Sequence, residues 1–265
     1  MSDEFRAHLW SADEQLRTDA LQKFVDEQLL ESLPLLQEAI VSSEFGEQPR
    51  YKIAEAVGQL TESSEAQQFL IELSGQEDPF VRCCAAVGMK SFSQAKAIIR
   101  LLEMLEDPTN KVRNEAERSL LNQTEALCEH GQQKLLSLLD HPTPLIRSPA
   151  ARLAGSAKMK AALPKLLELA QQNPEWLTRI WATKALGDMG EKSACETLEL
   201  ILRQDEKNRV RAAAVESIGV LKPHNAEALL KEALNDDDAG VQKRASEMLA
   251  ELGFEGLGAD EYEFD

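Results

Sequence analysis

A unit of about 32 residues recurs along the chain and limits its possible folds more than any other feature. The segments PFVRCCAAVG, residues 79–88, and PRYKIAEAVG, residues 49–58, share proline, a basic residue, alanine, valine and glycine at the same positions. The basic position, which we call the marker, recurs every 30 to 35 residues as Arg17, Lys52, Arg82, Arg113, Arg147, Arg179 and Arg211, and Gln242 replaces it in the last copy. Eight copies therefore account for almost all of the 265 residues.

Each copy has the pattern of two amphipathic helices joined by a capped turn. An alanine stands three residues after the marker in seven of the eight copies, which indicates close helix contact. Turn signals such as the EDP of residues 77–79 precede most markers, and Asp, Asn and Pro are residues that cap or open a helix. Glycines such as Gly58 and Gly88 close several copies, as at a helix C-terminus. A helix pair of this size cannot bury its own apolar face, so we expect the copies to stack.

The pattern D-P-x-x-x-V-R-x-x-A-x-x-A-L-G, preceded by a leucine-rich helix, resembles the HEAT repeat, in the short form of the phycobilisome-lyase-like branch. The resemblance covers residues 10–253. It implies an all-α fold, a right-handed α-α superhelix or armadillo-like solenoid of about eight two-helix repeats. We therefore predict a single HEAT-repeat solenoid over residues 1–253 and an acidic, flexible C-terminal tail over residues 254–265.

The resemblance also implies a role for the markers. In HEAT proteins the second helix of each repeat lines the concave side, and the marker arginine pairs with an Asp of a neighbouring turn. A residue that recurs at every level serves the stacking, because a substrate contact would not need to recur. By this resemblance the structural ladder consists of Arg82, Arg113, Arg147, Arg179 and Arg211.

Residues that depart from the repeat are the candidates for a binding site. Trp181 stands two residues after its marker, in a column of mixed residue types that indicates partial exposure, and Trp176 occupies a usually polar place near the turn. Large exposed aromatics are favoured as interface anchors. Five residues after the marker, three consecutive repeats carry Arg118, Arg152 and Lys184, and stacked helices about 10 Å apart would align them in a stripe. We predict that these five residues bind an acidic or amphipathic segment of another protein on the concave face.

Other interpretations of these residues stay open. Either indole can pack over the groove between repeats, since tryptophan is mostly buried on average. The three cations can form an ordinary solvated face, with Glu115 pairing with Arg118 on one helix. The tail carries five acidic and four large apolar or aromatic residues, and it can be a solubilising end, a linear motif or a segment that folds back on the basic stripe.

The overall charge limits the kinds of molecule that the protein is expected to bind. A net charge of −17 disfavours a general affinity for nucleic acid or for an anionic membrane, because both would be repelled over most of the surface. No apolar run has the length of a membrane span, and the acidic N-terminal residues do not resemble a signal peptide. We expect a cytoplasmic monomer whose partner is another protein, without nucleic-acid or membrane binding.

No group of residues points to catalysis. The four histidines are far apart and the four cysteines lack CxxC spacing, so neither a metal nor a disulfide is predicted. The His-Glu dipeptides with which the HEAT-like deoxyhypusine hydroxylases hold iron are absent from the sequence. We expect a non-enzymatic scaffold or adaptor without a cofactor. The alternatives are a lyase-like enzyme subunit or chaperone acting on a tetrapyrrole-carrying protein and, third, a DNA-lesion-binding HEAT-like protein.

Overall fold

The computed structural model describes residues 2–42 and 44–254, and every regular element in these ranges is a helix. Within them, the α-helices are α1 Ser2–Leu9, α2 Glu14–Asp26, α3 Leu33–Val41, α4 Glu47–Gly58, α5 Ser64–Leu73, α6 Pro79–Met89, α7 Ala95–Met104, α8 Asn110–Leu121, α9 Thr124–His130, α10 Gln132–Leu139, α11 Pro144–Ser156, α12 Leu163–Gln172, α13 Trp176–Met189, α14 Cys195–Gln204, α15 Asn208–Leu221, α16 Ala226–Ala233 and α17 Ala239–Glu251. None of these described helices is long and apolar enough to span a membrane.

The helices form eight consecutive pairs, which confirms the predicted all-α architecture of two-helix repeats. The second helices of the pairs are α2, α4, α6, α8, α11, α13, α15 and α17, and each of them carries a marker. The seven-residue helix α9 belongs to no pair. It is formed by the sequence TEALCEH, at the place where the fourth repeat lacks the usual glycine ending.

The chain divides into two compact units at residue 134. In unit 1, up to Lys134, α2, α4, α6 and α8 pack against one another in chain order. In unit 2, from Leu135, α11, α13, α15 and α17 do the same. The continuity of one solenoid over residues 1–253 stays a prediction. Of the predicted tail, only Phe254 lies within the described residues, and residues 255–265 lie outside them.

Small residues bring neighbouring second helices into backbone contact. A Cβ added to Gly58 would lie 2.5 Å from the carbonyl oxygen of Gly88, and one added to Gly155 would lie 2.4 Å from Ala185 Cα. These glycines do lie near helix C-termini, as predicted, but the reason is close approach of two helices and not capping. By contrast, Gly190 does act as a helix C-cap: it follows α13 and has a left-handed φ of 71°.

The alanines that stand three residues after the markers lie in the core. All seven are buried: Ala20, Ala85, Ala116, Ala150, Ala182, Ala214 and Ala245. Leucines of the first helices, such as Leu166 and Leu198, and apolar residues of the second helices, such as Leu186 and Ile218, fill the space between the two layers of unit 2. One face of each second helix is therefore fixed by packing, and the opposite face remains for other contacts.

Candidate protein-binding surface

The marker arginines bind the turn that precedes their own helix. Arg179 Nη1 donates hydrogen bonds to the carbonyl oxygens of Asn173 and Pro174, at 2.9 and 3.3 Å. Arg82 makes the corresponding bonds to Gln76 and Glu77, at 2.9 and 2.7 Å. Carbonyls of the preceding turn also accept hydrogen bonds from the other three predicted ladder residues, Arg113, Arg147 and Arg211.

Three of these arginines also reach an aspartate in the turn of the next repeat. Each pair is bidentate, with Nε and Nη2 each donating to one carboxylate oxygen. The three pairs are Arg82 with Asp107 at 2.7 and 2.9 Å, Arg179 with Asp205 at 2.8 and 3.0 Å, and Arg211 with Asp236 at 2.8 Å for both bonds. The side chains of all three pairs are almost entirely buried. Such paired, hydrogen-bonded charges fix the spacing of successive turns.

The ladder differs at two levels because the carboxylate is missing there. Arg147 meets Asn173, whose Oδ1 accepts one bond from Nη2 at 3.3 Å, and its buried Nε has no acceptor in the described residues. Arg113 donates to its own turn and, at 3.2 Å, to Asn110 Oδ1. In the three bidentate pairs the aspartate stands six residues before the marker of the next repeat. For Arg113 the next marker is Arg147, and the residue six positions before it is His141.

Sequence reasoning overlooked the corresponding arginine of the second repeat. Arg50, two residues before the marker Lys52, is buried, and its Nη2 donates to Asp78 of the next turn at 3.2 Å. Lys52 instead pairs with Glu14 at 2.7 Å in an exposed ion pair. The alignment of the repeats on proline and glycine placed the marker on Lys52, and no feature of the sequence singled out the neighbouring arginine.

Two of the ladder carboxylates, those of Asp107 and Asp236, are held in the charged form. Burial raises the pKa of Asp107, but hydrogen bonds from the Arg82 guanidinium and the Thr109 N–H outweigh this effect and leave the pKa below its usual value. The hydrogen bond from Arg211 likewise lowers the pKa of Asp236, against the effect of burial. These ion pairs are consequently part of the folded structure at neutral pH.

Both candidate tryptophans lie on α13 in unit 2, partly exposed and close to cations. The Arg152 guanidinium lies 5.2 Å from the centre of the Trp181 ring, and the Lys184 ammonium lies 5.9 Å from it. The Arg209 guanidinium of α15 lies 5.5 Å from the Trp176 ring. Cations within about 6 Å of an aromatic face are attracted to it. The structure thus brings Arg152 and Lys184 to Trp181, and it places Arg209, which sequence reasoning did not select, beside Trp176.

Partly exposed apolar side chains lie on the same two helices as Trp181 and Arg152. Leu177 and Ile180 of α13 are partly exposed, and Leu145 of α11 is 55% exposed. Residues 145 and 152 on α11, and 177, 181 and 184 on α13, are three, four or seven positions apart and so share a helix face. We define the tryptophan surface of unit 2 as Leu145, Arg152, Trp176, Leu177, Trp181, Lys184 and Arg209.

Ion pairs continue from this surface towards the end of unit 2. Lys184 pairs with Glu216 at 2.6 Å, and Glu216 is also bound by Arg244 at 2.7 Å. Arg244 in turn pairs with Glu247 at 2.9 Å. The acid beside Lys184 therefore has a second cation, so Lys184 can accept another carboxylate without leaving Glu216 unpaired.

A third cation borders the same part of α13. Loss of contact with water raises the pKa of Asp188, and the nearby charges of Lys184, Arg152 and Lys158 oppose that rise. Lys158, which follows α11, has φ of 49° in the left-handed region. Positive charge is therefore concentrated around the C-terminal half of α13.

The fifth predicted site residue, Arg118, lies in unit 1. Its side chain is 71% exposed and pairs with Glu115 of the same helix at 2.9 Å. This local ion pair is the one expected if the three predicted cations form an ordinary solvated face. An alignment of Arg118 with Arg152 and Lys184 in one stripe stays a prediction.

Cysteines are among the other chemistry-bearing residues of this chain, and two of them are buried. The cysteines Cys83 and Cys84 are buried free thiols, and burial raises their pKa values to about 11 and about 12. Thiols with such pKa values are poor nucleophiles at neutral pH. Within residues 2–42 and 44–254, no group of three or more His, Cys, Asp or Glu side chains has a geometry that could hold a metal ion.

The repeats, the buried ladder and the layered helix pairs define a class of helical repeat proteins. A family model for HEAT repeats matches residues 33–121, 133–219 and 196–260. The chain belongs to the HEAT-repeat family. No curated protein matches the sequence significantly.

Solved structures show the same fold at low sequence identity. A crystal structure of a Kap121p mutant is similar over 93% of this chain and 33% of that one, with 14% identity and a TM-score of 0.66. The complex of CpcE and CpcF of phycocyanin lyase from Nostoc sp. PCC7120 is similar over 58% of this chain and 99% of the matched chain, with 24% identity and a TM-score of 0.51. At these identities the similarity concerns the fold alone.

Proposed function

We propose that the protein is a non-enzymatic scaffold or adaptor, and that the tryptophan surface of unit 2 binds an acidic or amphipathic segment of a partner protein. The observation that carries this proposal is the pair of partly exposed indoles on α13, each close to a cation: Trp181 with Arg152 and Lys184, and Trp176 with Arg209. By resemblance to HEAT proteins, we take this side of the second helices to be the concave one. We further propose a cytoplasmic monomer that works without a cofactor.

The surface offers two kinds of interaction at once. Apolar side chains of a bound segment would cover Trp181, Leu177 and Leu145, and the removal of this apolar area from water favours binding. Carboxylates of the segment would pair with Arg152 and Lys184 at its edge, and such pairs fix register more than they add affinity. A segment that lacks either component would bind only weakly.

Neutral or acidic partners fit this protein better than nucleic acid does. The cations of the tryptophan surface lie within a molecule of net charge −17, and Glu216 and Asp188 lie among them. A polyanion would be repelled by the surroundings of the site, whereas a short peptide with a few carboxylates meets only the local cations. We propose Arg118 of unit 1 as a partner contact in its own right.

Affinity capture from the native lysate tests the proposal. The bait is either the intact protein or a Trp176→Ala, Trp181→Ala, Lys184→Glu variant, with circular dichroism showing that both are folded. A Leu16→Ala, Lys96→Glu variant changes exposed residues of unit 1 and serves as the matched control. We expect a partner that the intact protein and the control capture and that the surface variant loses. Capture of the same partners by all three proteins would refute the proposed site.

The two alternative functions predict other ligands. A lyase-like subunit would bind or transfer a tetrapyrrole, and a lesion-binding protein would bind duplex DNA at moderate salt. We expect the purified protein to do neither in absorbance and anisotropy titrations. Saturable binding of a bilin, or of DNA at about 150 mM salt, would replace the scaffold proposal.

A further inference from the structure

The C-terminal residues of this chain are complementary in charge and in apolar character to the tryptophan surface of unit 2. Residues 255–265, EGLGADEYEFD, contain five acidic residues, no basic residue and the apolar or aromatic side chains of Leu257, Tyr262 and Phe264. From Glu261 onwards acids and aromatics alternate, so an extended segment would present aromatics on one side and carboxylates on the other. Indoles and cations are the matching groups on the protein.

The end of α17 lies within reach of this surface. The N–H of Phe254 donates to the Leu249 carbonyl at 2.9 Å, so the described chain ends against the last turn of α17. Helix α17 packs on α15 and α15 on α13, and two such spacings amount to about 20 Å. Trp181 lies about 12 Å back along α13 from its C-terminus. The direct distance is about 23 Å, whereas the ten residues from Phe254 to Phe264 span up to about 35 Å when extended.

The ion pairs along this route permit an exchange of partners. A carboxylate of the segment can replace Glu216 at Lys184 because Glu216 keeps its bond to Arg244. Lys158 and Arg152 act on the same part of α13 and add to the attraction. The acids at the end of the route, such as Glu247, are already paired with Arg244, which reduces their repulsion of the segment.

We propose that residues 255–265 bind the tryptophan surface of unit 2 in the same molecule. The segment thereby competes with external ligands for Trp181 and Lys184. This inference deepens the proposed function, on which its competitive role rests, whereas binding of the segment itself can be measured without any partner. Because the segment is tethered, its effective concentration is of millimolar order, so even a weak intrinsic affinity gives substantial occupancy.

A labelled synthetic peptide of residues 255–265 tests the inference by fluorescence anisotropy. The full-length protein with Tyr262→Ala and Phe264→Ala, whose own segment lacks the aromatics, is the receptor. We expect saturable binding of the peptide that weakens by at least about tenfold when Trp181→Ala and Lys184→Glu are added to this receptor. We expect the protein with its natural segment to bind the peptide at least about tenfold more weakly than the receptor. A peptide with the same two alanines, which keeps all five acids, is the matched control and should not bind.

Three results would overturn the inference: no binding to the receptor, equal binding after the surface substitutions, or equal binding to the protein with its natural segment. The proposed function fails separately. If the peptide behaves as expected but lysate capture is insensitive to the surface variant, the surface holds the segment and the proposed partner site is wrong. If capture depends on the surface and the peptide does not bind, the partner site stands and this inference falls.

Discussion

Single side chains in the inter-repeat turns decide whether the arginine ladder is complete. Where an aspartate stands six residues before the next marker, the guanidinium has a bidentate acceptor, as for Arg179 with Asp205. Asn173 offers one acceptor oxygen in place of two, and Arg147 Nε is left buried without a partner among the residues that the structure describes. An unsatisfied buried donor costs about 1–3 kcal/mol, so this position is a local weakness of the fold.

Replacing Asn173 with aspartate should therefore stabilise the protein. The new carboxylate oxygen would accept from Arg147 Nε and complete a fourth bidentate pair, and we expect a gain of about 1 kcal/mol in the free energy of unfolding. Urea denaturation at pH 7 measures the change. Asp205→Asn is the matched control in the opposite direction and should destabilise by about 1–3 kcal/mol. A lower stability of Asn173→Asp than of the natural protein would show that the orphaned Nε is not the cause.

At the scale of helices, close contact between the second helices of neighbouring repeats positions the side chains of the tryptophan surface. Gly155 lies against the backbone of Ala185 and Gly58 against that of Gly88, so these positions have no room for a larger residue. The helices α11 and α13 meet through such a contact, and α11 carries Arg152 while α13 carries Trp181. The cation and the indole are thus brought together by the packing of small residues elsewhere along the same helices.

The substitution Gly155→Ala should consequently loosen unit 2. Its Cβ would lie 2.4 Å from Ala185 Cα, which requires a backbone shift, and we expect a loss of about 1–3 kcal/mol despite the better helix propensity of alanine. Thermal melting followed by circular dichroism measures this loss. The control is Gly75→Ala, where the nearest atom would be at an ordinary 3.6 Å. Equal melting temperatures for the two variants would contradict the contact as the reason for the glycine.

Structural features that recur in most repeats could be predicted from the sequence, whereas features that occur in a single repeat could not. The basic markers and the buried alanines each recur in seven of the eight helix pairs, so the periodicity alone indicated them. The short helix α9 and the role of Arg50 each occur in one repeat, and no second copy exists to reveal them. Arg209 was missed for another reason: its contact with Trp176 joins two helices, and one helix by itself gives no sign of it.

At the scale of the whole molecule, the ladder links global stability to pH. The pKa values of Asp107 and Asp236 are lowered in the folded state, so protons bind these carboxyls more readily in the unfolded chain. The contribution of each ion pair is fully present above about pH 5 and is lost as the pH falls through the usual Asp value of 3.8 and below. Acid therefore weakens the spacing of the turns directly.

We expect the free energy of unfolding to decrease progressively below about pH 5, and this decrease to be smaller in an Asp236→Asn variant. The variant starts from a lower stability at pH 7, because it loses one acceptor of Arg211, but it has one carboxylate fewer to protonate. Urea titrations between pH 7 and pH 3 measure both slopes. An unchanged slope in the variant would assign the acid sensitivity to other carboxyls.

The location of partner binding is the central claim, and site-specific photo-cross-linking tests it most directly. A photoreactive amino acid is introduced in place of Leu177, on the tryptophan surface of unit 2. In a second variant it replaces Leu200, which is 41% exposed and lies on α14, the first helix of another pair in the same unit. Irradiation in the native lysate is followed by mass spectrometry of the adducts. We expect a partner to be cross-linked through an acidic or amphipathic segment from position 177 and not from position 200. Adducts from position 200 alone, or equally from both, would contradict it.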